Sequence, residues 1–185
     1  MRILAVDPDH VGGWAVVSVV AGGAKPVVHR SGVLGRQKGT FEDSPTAREI
    51  YDLISGLGHL DAVVVEYVSE NKKTSPEVLR QLHEMALRWV VVGELIVGDV
   101  VRIQPQRWRS RTGVYHLGRK DAKIKKAIRD AAHVLTESID PKKAALREKG
   151  LNPYQDSESD AVCMAVAYFL GQDKFLEQDT EGDKE

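Results

Sequence analysis

The stretch RILAVDPDHVGGWAVV, residues 2–17, decides how the rest of the chain is read. Its opening run Ile3-Leu4-Ala5-Val6 is short, apolar and partly β-branched, the pattern of a buried strand, and it ends on a carboxylate, Asp7. A Gly-containing turn follows, and a second apolar run, residues 14–20, begins at hairpin distance. Asp-Pro starts turns readily, which by itself accounts for one acid here. A carboxylate at the mouth of a strand in an apolar sheet is nonetheless expensive unless something pairs with it. A divalent cation is the obvious partner.

Two further acidic stations lie downstream. Residues 27–34 read as a third strand, so three antiparallel strands open the fold. Ser44-Pro45 forms an N-cap and first-turn pair for a helix to about residue 57, with Ala47, Ile50, Tyr51 and Ile54 on one face. Residues 61–68, DAVVVEYV, make a fourth strand carrying a second strand-borne carboxylate, Glu66. From 75 to 97 the apolar positions Val78, Leu82, Met85, Trp89, Val92 and Ile96 form a helical stripe, and Leu79, Ala86, Val90, Val91 and Leu95 fill a second face. Such a helix needs two partners: its own sheet, and either more core or a second subunit. Residues 99–103 are a fifth strand.

Residues 104–118 are polar, basic and aromatic, with Trp108, Tyr115 and His116 among arginines. Residues 120–135 are helical, with Ile124, Ala127, Ile128, Ala131 and Leu135 inward. Asp140-Pro141 starts a short helix that Gly150 ends, and Ser157 caps a last, apolar helix to about residue 170. The third acidic station is its entrance, Gln155-Asp156-Ser157-Glu158-Ser159-Asp160. Asp156 and Asp160, four apart, share a helix face at a spacing of about 6 Å. Acids favour helix N-termini, and Ser157 with Asp160 fits a variant capping box, but that explains one or two acids and not three.

At 185 residues and 42% hydrophobic content the chain is sized for one domain with a core. No segment approaches the roughly 20 apolar residues of a membrane span. The chain opens directly on a strand, so no leader peptide is expected, and the single cysteine, Cys163, sits in an apolar run as a buried thiol would in a reducing compartment. A cytoplasmic location is expected. Net charge is only -1, yet residues 102–126 carry nine Lys or Arg against one acid, whereas residues 171–185 hold six acids and two bases. A basic block in a neutral protein is the footprint of phosphate contacts. The six histidines show no metal-ligand spacing; His10, three residues after Asp7, is the one within reach of a substrate.

Asp7 ending strand one, GGWAVV on strand two, Glu66 ending strand four and D-x-x-x-D-A opening the final helix resemble the RuvC-like Holliday-junction resolvases of the RNase H superfamily, with phage-type members fitting best. The match runs in order across residues 1–170. It implies an α/β, RNase H-like fold with a mixed five-stranded sheet flanked by helices, followed by a disordered acidic tail, 171–185. It implies a two-metal phosphodiesterase in which Asp7, Glu66, Asp156 and Asp160 hold two Mg2+ or Mn2+ ions, a donor set that suits hard cations. It also implies a homodimer acting on four-way junction DNA, without a membrane. Residues 105–109 followed by Arg119, Lys120 and Lys123 resemble the DNA-contacting loop and basic helix start of these enzymes, so Arg107, Trp108, Arg109, Arg111, Arg119, Lys120 and Lys123 are the expected nucleic-acid contacts. Trp108 or Tyr115 would stack on an opened base.

The pattern is departed from in three places. Family members commonly carry Gly after Asp-Pro, where this chain has Asp9, read as reshaping the turn. Many bacterial resolvases place an acid or His three residues before the last Asp, where this chain has Ser157. Glu158 is the substitute if Asp156 is displaced. Some resolvases use an aromatic shortly after the strand-four Glu as a wedge between bases, whereas position 69 is Ser here and Tyr67 would face the other way from Glu66. A nuclease acting on RNA:DNA hybrids or flaps, and a non-catalytic junction-binding module, are the alternatives.

Overall fold

The computed structural model describes residues 1–19, 25–35, 44–68, 74–114 and 121–179. Strand β1 (Arg2–Asp7) pairs antiparallel with β2 (Gly13–Ser18), which pairs antiparallel with β3 (Val27–Val33). Helix α1 (Ala47–Ser55) returns the chain to β4 (Ala62–Glu66), parallel to β1 on its other side. Helix α2 (Pro76–Ile96) leads to β5 (Val100–Ile103), parallel to β4. A short helix α3 (Pro105–Arg111), then α4 (Asp121–Leu135), β6 (Glu137–Ser138), α5 (Pro141–Glu148) and α6 (Asp156–Asp179) complete the chain. The sheet is mixed and six-stranded, ordered β5-β4-β1-β2-β3-β6.

Alternation along the strands builds two cores. Ile3, Ala5, Ala15, Val17, Val28 and Val64 face α3, α4 and the apolar face of α6, whereas Leu4, Val6, Trp14, Val16, Val63 and Val65 face α1 and α2. β1 is covered on both faces and therefore reads as a continuous apolar run rather than an alternating one. Close approach is set by glycine at two points. On α2, a Cβ at Gly93 would stand 3.0 Å from Val100. On β2, a Cβ at Gly13 would stand 2.3 Å from the carbonyl carbon and oxygen of Ser157, so α6 rests its first turn directly on the sheet.

Five differences from the sequence reading have local causes. The sheet has six strands rather than five, because the two-residue β6, too short to leave a pattern, adds parallel to β3. Helix α1 is capped by Thr46 and not Ser44: the Thr46 hydroxyl accepts from Glu49 N–H while the Glu49 carboxylate accepts from Thr46 N–H, a reciprocal box that wins over a lone Ser. The stretch after β5 is a helix, α3, started by Pro105 at its first position. Ser157 lies inside the first turn of α6, and the box there runs from Gln155 N–H to the Glu158 carboxylate. On α2 the open stripe is Leu87, Val91 and Leu95, while Ala86, expected on the second face, is buried.

Candidate active site

The C-terminal ends of β1 and β4 are neighbours because the strands run parallel, and this places Asp7 beside Glu66. The first turn of α6 crosses the same end of the sheet over β2 and brings Asp160 to them. Asp7 is 8% exposed. Burial, with Asp9, Glu66 and Asp160 close by, holds its carboxyl well above the usual carboxylate range. A side-chain hydrogen bond links it to Glu66, which raises Asp7 and lowers Glu66. Glu66 is raised by burial too, but the indole N–H of Trp108, donated to Oε1 at 3.0 Å, and the nearby Arg109 pull it back. Burial and the Glu66 charge push Asp160 up to about 7, against the pull of Arg109.

Asp9 is the unexpected member of this group. Its Oδ1 accepts from the backbone N–H of Val11 and of Gly12, both at 2.8 Å, which is the turn-forming role expected of it. Its Oδ2 accepts from the Ser157 hydroxyl at 3.0 Å. Two of the three positions at which the chain departs from the resolvase pattern thus meet each other, and their bond ties the β1–β2 turn to the start of α6. The charge of Asp9 bears on Asp7, Glu66 and Asp160 alike.

Asp156 adds its charge to Asp160 but is paired with cations. Arg129 donates to one of its oxygens and Lys125 lies at 3.2 Å from the other, so α4 holds it at the rim of a cleft of about 530 Å³ that Asp9, His10 and Tyr154 also line. Glu158, the substitute, is buried and engaged by Lys143 and by the Gln155 N–H. Three of the four expected carboxylates are therefore gathered, and the fourth is held by two cations.

Trp108 is wholly buried. It offers no face to a base; its indole instead orients Glu66, a role that shows up in sequence only as an aromatic among arginines. Arg109 lines the carboxylate cleft with Pro105 and Gln106. Arg107 and Arg111 open onto a different cleft. Lys123 is exposed on α4. Arg119, Lys120, Tyr115, His116 and position 69 lie outside the described residues. Tyr67 lies beside the carboxylate cleft and packs under Arg102, 4.7 Å from ring centre to guanidinium.

Among the described residues no three His, Cys, Asp or Glu side chains converge so as to grip a metal ion as they stand. The donor set nevertheless fits one. Asp7, Glu66 and Asp160 offer only oxygen, all three carboxyls are raised chiefly by burial, and neighbouring carboxylate charge raises each of them further, a negative surplus that a hard divalent cation would answer.

A mixed sheet in this order, with acids at the ends of β1 and β4 and at the start of the last helix, defines a RuvC-like fold of the RNase H-like class. Among solved structures the chain is similar to RuvC of Thermus thermophilus, with a TM-score of 0.60 at 19% identity over 93% of this chain and 96% of that one. It is also similar to T. thermophilus RuvC in complex with Holliday junction substrate (TM-score 0.61, 16% identity, the same coverage). The yeast mitochondrial Holliday junction resolvase Ydc2 aligns with a TM-score of 0.55 at 12% identity over 90% of this chain and 75% of that one. No protein-family model matches the chain, and no curated protein matches it in sequence. The likeness at these identities is one of fold. No helix among the described residues is long and apolar enough to cross a membrane.

Proposed function

We propose that this protein is a metal-dependent, structure-selective DNA endonuclease that resolves four-way junctions by paired phosphodiester hydrolysis. The observation that carries the reading is the meeting of Asp7, Glu66 and Asp160 at one end of a RuvC-like sheet. These three would hold Mg2+ or Mn2+, joined by Asp156 when it exchanges Arg129 and Lys125 for a cation. Bound there, the ions supply the positive charge that favours an attacking water and a leaving oxygen. The chain's own groups do the rest. Trp108 fixes the Glu66 carboxylate, the Asp9–Ser157 bond fixes the first turn of α6, and Arg109 brings a cation to the strand's phosphate.

Paired cleavage requires two such sites related by a two-fold axis, and the exposed α2 stripe of Leu87, Val91 and Leu95 is the surface we assign to the dimer. Its apolar character suits a self-complementary contact.

The test is cleavage of a labelled synthetic four-way junction beside linear duplex, flap and RNA:DNA hybrid, with Mg2+ or EDTA and with Asp7→Asn. Paired nicks in the junction alone, lost with EDTA and with Asp7→Asn, are expected. Cleavage of hybrid or flap instead keeps the site and changes the substrate. Junction binding without cleavage in either metal overturns the enzymatic reading.

A further inference from the structure

The basic run that the sequence presents as one block is divided by α3 between two faces. Arg109 turns to the carboxylates, while Arg107 and Arg111 turn to a separate cleft of about 360 Å³ along the edge strand β5, where Arg102 joins them. Tyr67 and Tyr168 supply aromatic walls. Three guanidinium groups share this cleft, and no Asp or Glu among the described residues lines it. Like charges brought together in a concave site raise the local potential and cost free energy unless an anion answers them.

The arginines are held in different ways. Arg111 donates from Nη1 to the carbonyl of Ala167 at 3.0 Å and lies against Gly171 so tightly that a Cβ there would fall 2.3 Å from it. Arg102 is spread over the Tyr67 ring, an arrangement that presents a flat cation and a ring edge together. Tyr67 also lines the carboxylate cleft with Glu66, so one residue just beyond the end of β4 borders both clefts.

We propose that the β5 cleft is a second DNA-backbone site: Arg102, Arg107 and Arg111 take phosphates of the strand as it leaves the carboxylates, with Tyr67 at the passage between the two. The guanidinium fork matches a phosphate bidentately, and Tyr67 with Arg102 offers a stacking surface to an unpaired base. The site rests on the nuclease reading and goes beyond it by fixing the path of the strand.

The test uses the full-length protein in EDTA, where no strand is cut, and measures Kd for a labelled synthetic four-way junction over a series of salt concentrations. Removing two phosphate contacts with the double substitution Arg102→Gln and Arg107→Gln should weaken binding and lower the slope of log Kd against log salt by about 2. Arg102→Lys alone should keep the slope, because its charge stays, and Tm should be unchanged in both variants. A double variant that binds with wild-type affinity and slope overturns the cleft while leaving the nuclease reading intact. A wild-type protein that binds no DNA overturns both.

Discussion

Gly13→Ala is the substitution that bears hardest on the geometry of the site. The backbone at Gly13 is ordinary strand, so the replacement adds no conformational strain of its own; what it adds is one methyl group at the contact of β2 with α6. That methyl would lie 2.3 Å from the carbonyl carbon and oxygen of Ser157 and 2.6 Å from its Cβ, where unstrained contact begins at 3.4 Å. The obstruction is mostly backbone, so a side chain cannot swing clear and the helix must retreat. Overpacking of this kind costs about 1–3 kcal/mol, and for a chain of this size that lowers Tm by roughly 2–4 °C per kcal/mol. Asp160 rides on the displaced turn, and a shift of about 1 Å at reacting groups costs on the order of a hundredfold in rate. Thermal denaturation and junction cleavage on one preparation measure both. Gly98→Ala is the control: Gly98 has φ +89 with no atom within 4 Å of a new Cβ. It should lose about 1 kcal/mol to backbone strain with cleavage unchanged. Wild-type Tm and cleavage in Gly13→Ala would refute the claim that the first turn of α6 bears on the sheet.

The metal-free protein should lose stability as pH rises, because Asp7 and Asp160 have pKa values raised by folding. Their contribution is whole below the usual carboxylate value of 3.8 and is lost as pH passes through about 7 for Asp160. Tm measured in EDTA should fall between these limits, Asp7→Asn should flatten the fall, and a flat wild-type profile would mean that burial and neighbouring charge do not raise these carboxyls on folding. Trp108→Phe removes the indole donor to Glu66 and should cost about 1 kcal/mol. It should also raise the Glu66 pKa further, so the acid limb of the cleavage profile moves to higher pH; an unmoved limb would show that the indole does not tune the carboxylate. Leu95 is 75% exposed, and Leu95→Glu should convert a dimer to a monomer in sedimentation without lowering Tm at the same monomer concentration by more than the lost association accounts for. A wild-type chain that sediments as a monomer at micromolar concentration would rule out the α2 interface.

Much of this molecule is legible from local pattern. A buried strand announces itself by four apolar residues in a row, and α2 by apolar positions at intervals of three and four, because each reflects one element's own geometry against a core. β1, β4 and α2 accordingly lie within a residue or two of where periodicity puts them, and the acids Asp7 and Glu66 stand at strand ends that parallel pairing makes adjacent. The pairings between distant residues left no such trace. Asp9 and Ser157 are 148 residues apart and are joined by a hydrogen bond. Trp108 looks like a DNA contact among its arginines until α3 turns its ring inward onto Glu66. Asp156 has the spacing of a ligand, yet Arg129 and Lys125 on α4 claim it. Periodicity and chain order therefore determined which elements form and where their acids lie, since those depend on neighbours in sequence. Tertiary packing decided which acid faces which cation, and why position 13 must be glycine, since those depend on groups that only folding brings within a few ångströms.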